Sequence, residues 1–390
     1  MTIVDEAPRP PADPTGPGGP PASADGHGDV DERPIRPRSF GRSDVAEVGG
    51  AAVSALCLVW LVFERLTPMT GALGATVCWF AAFVLIAYLV ARQIHGPVRA
   101  KDRVAAIVIT GAGLGLVVPL TLIAGYVLVK GYHALRPQFF TQDQRYVGSL
   151  SSATEGGGLH AIVGTLEQVG LAVVISVPLG ISTALFLNEV RGKLSRPVRL
   201  VVDAMSATPS IVAGLFIYAA IILGLGYHFS GFAAALALSV LMLPTVTRTA
   251  EVVLRLVPGG LREAGLALGG AEWRTVRHVV LPTARTGLVT AVILGVARIV
   301  GETAPLILTA GGAFQTAWNP FRDQQDALPL FVYRLVRFPA EAQKQRAWTG
   351  ALVLLLLVLT LFLIARLLGG QGPGHIGRFK RRRLRRKGLL

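Results

Sequence analysis

Long apolar runs separated by short polar or basic segments form the dominant pattern along this chain of 390 residues. A helix needs about 20 mostly apolar residues to cross the hydrocarbon core of a bilayer. Eight runs reach this length, so the pattern predicts an all-α, polytopic integral membrane protein. The predicted spans are residues 48–66, 72–91, 104–129, 160–187, 200–225, 232–250, 286–309 and 347–367.

Arginine and lysine residues between the spans predict the orientation of the chain, because basic residues are retained on the cytoplasmic side of a membrane. They concentrate in every second connection and near the C-terminus, in segments 92–103, 191–199, 255–285 and 378–387. Both termini are therefore predicted to be cytoplasmic. The two longer connections between the remaining spans, 131–159 and 311–346, are predicted to lie outside.

The composition agrees with a membrane protein, since 52% of the residues are hydrophobic, 16% are charged and the mean hydropathy is +0.55. The formal net charge is +15. A nucleic-acid partner is not expected, because most of the basic residues lie beside spans or in the C-terminal tail, where topology and anionic membrane lipid account for them.

Two terminal segments are predicted to lie outside the folded part of the chain. Residues 1–45 are rich in Pro, Gly, Ala and Asp and carry few large apolar side chains, which predicts a disordered cytoplasmic tail. Residues 369–390 form a second, strongly basic cytoplasmic tail.

A polar segment, residues 261–282, interrupts the series of spans. Pro258 and the following glycines are predicted to end the preceding helix, and residues 262–268 to form a short one. Gly269 and Gly270 then bend the chain, and a second helix from Glu272 is predicted to carry Trp273, Val276 and Val280 on one face, with Pro282 at its end or at the start of the next helix. The segment is predicted to be a cytoplasmic docking element. The alternative is an amphipathic loop in the headgroup region.

Charged residues inside a predicted span are the second informative feature. Arg298 and Glu302 are four residues apart in the sequence ARIVGETAPLILTA, so a continuous helix would place them on one face, where they can pair. Charges within a span are hypotheses of function by default. Thr303 adds a hydroxyl group, and these three residues are the candidate substrate pathway. The alternative is an ion pair with a purely structural role.

The polar segment resembles the EAA loop of ABC importer permeases, through which such permeases couple to an ATPase. Gly265 stands where the motif has its second Ala, and Val279 stands where it has Ile. The resemblance implies that the residues coupled to the ATPase are Glu263, Ala264, Gly265, Gly269, Trp273, Val279, Leu281 and Pro282.

Further motifs resemble the phosphate-specific ABC permeases, and the PstA-type subunit in particular. The strongest is GETAPL at 301–306, and TEGGGL, SATPSIVAGLF, HFSGFA and LVPGGLREA follow the same subunit in order and spacing. The resemblance extends over residues 126–368 and implies a six-helix permease domain at 104–368, with its cytoplasmic EAA loop at 252–285. Residues 46–103 are then two additional N-terminal transmembrane helices.

The resemblance implies a transmembrane permease subunit of an ATP-driven importer of inorganic phosphate in the bacterial cytoplasmic membrane. Its implied partners are a second phosphate permease in a heterodimer, a dimer of ATP-binding subunits and an extracytoplasmic phosphate-binding protein. The sequence holds no GxxxxGK[ST] loop, so the chain is not expected to be an enzyme or to bind a cofactor, and the partner ATPase is expected to use ATP and Mg.

Within that system, Arg298 is expected to contact phosphate transiently, and Glu302 to orient Arg298 or to gate the path. Three alternatives stay open. The chain is the sister permease of the same system, a permease for another oxyanion such as molybdate or sulfate, or an ion-coupled secondary transporter that works alone.

Overall fold

The described residues of this chain, in a computed structural model, are 42–66, 71–148, 151–190 and 192–369. Within these ranges the fold is helical without strands; Gly311 and Gln325 form one isolated parallel bridge. Most of the two predicted tails lies outside the described residues. The chain separates into two compact units, Met1–Leu114 and Gly115–Leu390, with the boundary inside one long helix.

The first unit holds two helices and part of a third, and the predicted spans 48–66 and 72–91 are confirmed as helices. They are α1 (Arg42–Leu61, continued by a π turn at Val62–Leu66), α2 (Ala72–His95) and α3 (Pro97–Tyr132). Small residues such as Ala55 and Ala87 are buried between α1 and α2, and the Trp79 indole donates a hydrogen bond to the Ala52 carbonyl at 3.1 Å.

The second unit contains the remaining helices. They are α4 (Pro137–Thr141), α5 (Leu159–Leu185, then a π turn at Phe186–Val190), α6 (Ser195–Ala207), α7 (Ser210–Ile217, then a π turn at Tyr218–Leu223), α8 (Gly231–Arg255), α9 (Gly259–Ala267), α10 (Glu272–Thr275), a π turn at Val276–Val280, α11 (Leu281–Val300), α12 (Ala304–Thr309), α13 (Leu328–Val336) and α14 (Glu341–Gly369).

Helix α8 lies at the centre of this unit and packs against α5 on one side and α11 on another. The contacts use glycines, as is common between helices in membranes. A Cβ atom on Gly180 would lie 3.0 Å from Val246, and one on Gly295 would lie 2.7 Å from the same side chain. Small residues at these positions therefore bring α5 and α11 close to α8.

Six helices of the described residues are long and apolar enough to cross a membrane. The predicted span 200–225 is not one continuous helix, because α6 and the helix from Ser210 to Leu223 meet at a bend of 109°. Taken as one broken span, this pair is a seventh. The first predicted span, 48–66, overlaps a shorter apolar helix, Val45–Leu61. The bend follows from Pro209, which disfavours the helical conformation at Thr208 and leaves that residue extended.

Candidate functional site

Arg298 lies in the last turn of α11. The predicted pairing of Arg298 with Glu302 is not formed. Its guanidinium donates from Nη1 to the Thr245 hydroxyl of α8, at 3.0 Å. The prediction required a helix that continues through Glu302. Instead α11 ends at Val300, and Gly301 follows it as the C-cap. The helical spacing on which the pairing depended is therefore lost.

Glu302 and Thr303 form the junction between α11 and α12. Both are partly buried, and Glu302 donates its backbone N–H to the Ile299 carbonyl at 3.2 Å. Beyond the junction, α12 packs against α7 so closely that a Cβ atom on Gly214 would lie 2.6 Å from the Pro305 Cα. The GETAPL and SATPSIVAGLF segments thus meet in space, and each contains a break in the helical structure.

The side of α11 that carries Arg298 is open in this chain. Arg298 and Leu294 are exposed, whereas Ile299 and Gly295 on the neighbouring face are buried. Leu294 lies one turn before Arg298, so the Arg298 side chain lies beside an exposed apolar residue, in a helix that is long and apolar enough to cross a membrane. Exposure of an intramembrane arginine is costly unless water or protein covers it.

A charged network that the sequence reasoning missed joins α6 to the C-terminal end of α8. Glu251 is only 3% exposed and accepts from three guanidinium groups: Arg199 at 2.7 Å, Arg255 at 2.6 Å and Arg248 at 3.0 Å. Arg248 also pairs with Asp203 of α6. The spacing of the charges along α8, three and four residues, was the available signal, since it places them on one helix face.

The predicted docking segment is held to the membrane helices by Arg262. Its guanidinium donates to the Leu254 carbonyl at 2.9 Å, to the Val257 carbonyl at 3.1 Å and to Glu189 Oε1 at 3.0 Å. One side chain of α9 therefore connects the ends of α8 and α5, so a force applied to α9 reaches two spans. The sequence pattern did not predict these contacts of Arg262.

The other side of this segment is exposed and carries several predicted coupling residues. Glu263 and Ala264 face outward on α9, and the adjacent Leu268 is 90% exposed. An acidic residue among exposed apolar ones is typical of a surface that binds another protein. The structure also brings α9 against the helix that follows, since a Cβ atom on Gly265 would lie 2.7 Å from Thr275 Cγ2.

Gly269 makes the predicted bend with a φ of +77°, a conformation that favours glycine. The predicted common face of Trp273, Val276 and Val280 is wrong, because Trp273 is exposed while Val280 is fully buried. A π turn over Val276–Val280 changes the rotation of the side chains. Val279 and Leu281 are partly buried, and Pro282 lies in the first turn of α11, as predicted.

The TEGGGL segment lies on the predicted outer side and requires its glycines. Gly156 has a φ of +69°, and a Cβ atom on Gly157 would lie 2.6 Å from the Gln138 carbonyl oxygen. The segment passes directly over the end of α4, where Gly158 donates its N–H to the Phe139 carbonyl at 2.8 Å. These contacts place the first residues of α5.

Asp143 links the two outer connections. Its carboxylate accepts from the Thr316 N–H at 3.0 Å and from the Arg145 N–H at 3.1 Å. Burial raises the pKa of the Asp143 carboxyl, but the two backbone donors and the nearby charges of His160 and Arg145 outweigh burial, so the pKa lies below its usual value. Asp143 is therefore a charged, hydrogen-bonded contact at neutral pH.

A second group of contacts that the sequence reasoning missed fixes the segment after α12 to α5. Gln325 is buried and donates from Nε2 to Glu167, and the Asp326 carbonyl accepts from Gln168 at 3.1 Å. The fit depends on glycines, because a Cβ atom on Gly164 would lie 2.0 Å from the Asp326 carbonyl oxygen. The polar residues of α5 thus anchor the segment that follows α12.

Comparison with known proteins agrees with these motifs. Residues 176–370 match the family described as "Binding-protein-dependent transport system inner membrane component". The chain is 39% identical over 272 residues to the phosphate transport system permease protein PstA 1 of Mycobacterium tuberculosis (strain ATCC 25618 / H37Rv), an alignment that covers 69% of this chain and 88% of that protein. It is 42% identical over 216 residues to the phosphate transport system permease protein PstA of Xylella fastidiosa (strain 9a5c), and this alignment covers 55% of this chain and 75% of that protein.

Among solved structures, a chain of the inward-facing MetNI methionine ABC transporter is 25% identical, with a TM-score of 0.40 over 54% of this chain and 89% of that one. A TM-score this low supports no structural argument.

Proposed function

This chain belongs to the family of binding-protein-dependent transport system inner membrane components, as a PstA-type permease, and we propose that it forms one half of the membrane pathway of an ATP-driven importer of inorganic phosphate. A second, related permease supplies the other half. A dimeric ATPase binds at the cytoplasmic side, and an extracytoplasmic binding protein delivers phosphate from the outside. Both termini of the chain lie in the cytoplasm.

The observation that carries this proposal is the position of Arg298. It lies within a membrane-spanning helix, yet it is exposed on an open face of the chain. An arginine facing lipid at this depth is strongly unfavourable, whereas one that lines a path between two permeases is stabilised by water and by the passing anion. The site is therefore incomplete on this chain alone, and a second permease completes it.

The chemistry of this position suits brief contact with phosphate. The guanidinium offers a planar set of donors that matches phosphate oxygens, and its hydrogen bond to Thr245 at 3.0 Å fixes its direction. A single cation binds an anion more weakly than a cluster of cations, which favours release. Glu302 and Thr303, at the nearby helix break, line the path and limit how long phosphate stays.

Coupling to ATP hydrolysis takes place at the exposed side of α9 and α10. Glu263, Ala264 and Trp273 contact the ATPase, while Arg262 transmits the movement of α9 to the ends of α8 and α5. The Asp203–Arg248 pair extends this connection to α6. Closure of the ATPase dimer therefore moves several spans together.

The test is phosphate uptake in proteoliposomes that contain this chain with the second permease, the ATPase and the phosphate-binding protein. The proposal expects ATP-dependent uptake that is lost when any one subunit is omitted and that excess sulfate or molybdate does not inhibit. Uptake by this chain alone, driven by an ion gradient, would refute the proposal. Preferential uptake of sulfate or molybdate would refute the assignment of phosphate.

A further inference from the structure

Helix α6 does not continue the direction of the helix that follows it. It meets the helix from Ser210 to Leu223 at 109°, so α6 lies close to the membrane plane if that helix runs along the membrane normal. Its ion pairs place it at the level of the last two turns of α8, because Arg199 contacts Glu251 and Asp203 contacts Arg248. The chain continues from these turns into α9, so α6 lies on the side that the proposed function assigns to the cytoplasm, and the inference below rests on that assignment.

The two sides of α6 have different chemistry. One side packs against α8 and buries Val202 next to the charged residues Arg199 and Asp203. The opposite side carries apolar residues that no other part of the described chain covers, including Leu200, which is 70% exposed, and Val201, which is 58% exposed. A helix with this distribution, lying in the membrane plane, buries its apolar side in the boundary between headgroups and acyl chains.

Basic residues lie where such a helix would meet lipid headgroups. Lys193 precedes α6 and Arg196 lies in its first turn, and both are exposed. Within the described part of the chain neither makes an ion pair, whereas Arg199 of the same helix is paired with Glu251. Exposed basic side chains beside the cytoplasmic leaflet are attracted to the negative charge of anionic lipid.

We propose that α6 is an interfacial helix that binds anionic phospholipid of the cytoplasmic leaflet. Leu200 and Val201 enter the acyl region, and Lys193 and Arg196 contact the phosphate groups of the lipid. Because α6 is ion-paired to the end of α8, bound lipid holds this end of the permease at a fixed depth. The charge of the exposed residues and the direction of the helix favour lipid over a protein partner as the occupant of this side.

The first test measures depth. A spin label on Val201→Cys, in the complete complex with Cys57→Ser and Cys78→Ser, is placed in nanodiscs that contain phosphatidylglycerol. Oxygen is expected to relax the Val201 label more strongly than a water-soluble nickel chelate does. A label on Arg196→Cys is expected to be relaxed more strongly by the nickel chelate. A Val201 label that is open to the nickel chelate, or shielded from both agents by protein, would overturn the proposal.

The second test measures lipid directly. Native mass spectrometry counts the phosphatidylglycerol molecules that the complex retains after exchange into detergent. The variant Lys193→Gln/Arg196→Gln should retain fewer than the native complex, by at least one molecule. The control is Arg136→Gln/Arg322→Gln, which removes the same charge from exposed residues of the outer connections and should retain the native number. Equal retention by all three complexes would contradict the proposal.

Discussion

At the scale of single residues, the close contacts of one glycine explain a departure of this chain from the EAA motif. Gly265 stands where the EAA motif carries an alanine, and the structure gives a local reason, because a methyl group there would meet the Thr275 side chain at 2.7 Å. Thr275 is itself buried under α9. The departure from the motif is therefore matched by a neighbour within the same segment.

Replacement of Gly265 by alanine is expected to destabilise the docking segment by about 1–3 kcal/mol, the usual cost of overpacking. The measurement is the thermal midpoint of ATPase binding to the purified permease pair. Gly260→Ala is the matched control, because Gly260 also lies in α9 and has open space around it. The double variant Gly265→Ala/Thr275→Ala is expected to recover the native thermal midpoint. Equal shifts of the midpoint in Gly265→Ala and Gly260→Ala would show that the contact with Thr275 does not matter.

Asp143 gives a prediction about pH. Its folded pKa lies below the usual value, so its contribution to stability is present above the pKa of the unfolded chain, about 3.9, and is lost as the pH falls through the lower, folded value. Asp143→Asn should therefore speed hydrogen exchange at the Thr316 amide at pH 7. The difference from the native protein should shrink below pH 4. A difference that is independent of pH would contradict the electrostatic explanation.

At the scale of helices and connections, hydropathy predicted the lengths of the membrane spans but not the helix breaks within them. The bilayer requires a certain length of apolar sequence, so the spans could be located from hydropathy. The bend at Pro209 and the end of α11 at Gly301 lie inside runs whose apolar character continues, so hydropathy does not show them, although a proline or a glycine stands at each position. The predicted pairing of Arg298 with Glu302 was wrong for this reason.

The docking assignment predicts the effect of a charge reversal on α9. Glu263→Lys should leave the permease pair assembled in the membrane but reduce ATPase binding and phosphate transport by at least tenfold, since the exposed carboxylate is replaced by a cation in a protein contact. Asp102→Lys, which reverses an exposed acidic residue of α3 outside the docking segment, should keep most of the activity. Native ATPase binding and transport in Glu263→Lys would show that α9 is not the docking site.

At the scale of the whole molecule, the charge distribution that predicted the orientation also holds the helices together. Arg199, Arg255 and Arg262 all lie in segments that were assigned to the cytoplasm, and the structure pairs them with Glu251 or Glu189. These partners could not be read from hydropathy, because each pair joins different helices or different turns. The orientation itself stays a prediction.

The predicted tail at residues 1–45 leads to a prediction about truncation. Removal of residues 1–42 should leave phosphate uptake by the complete complex within about twofold of the native value, because a segment with little apolar surface contributes little to a folded core. The comparison needs equal amounts of assembled complex in the membrane. Complete loss of uptake at equal assembly would show that the segment has a function of its own.

The central claim is that Arg298 lies on the phosphate path. The most direct measurement is energy-dependent phosphate uptake by the complete complex with native Arg298, Arg298→Lys or Arg298→Gln, after equal assembly with the ATPase has been shown. The account predicts loss of uptake in Arg298→Gln, and partial uptake in Arg298→Lys, which keeps the charge but not the planar set of donors. Native uptake by Arg298→Gln would contradict the claim and leave Arg298 as a structural contact to Thr245.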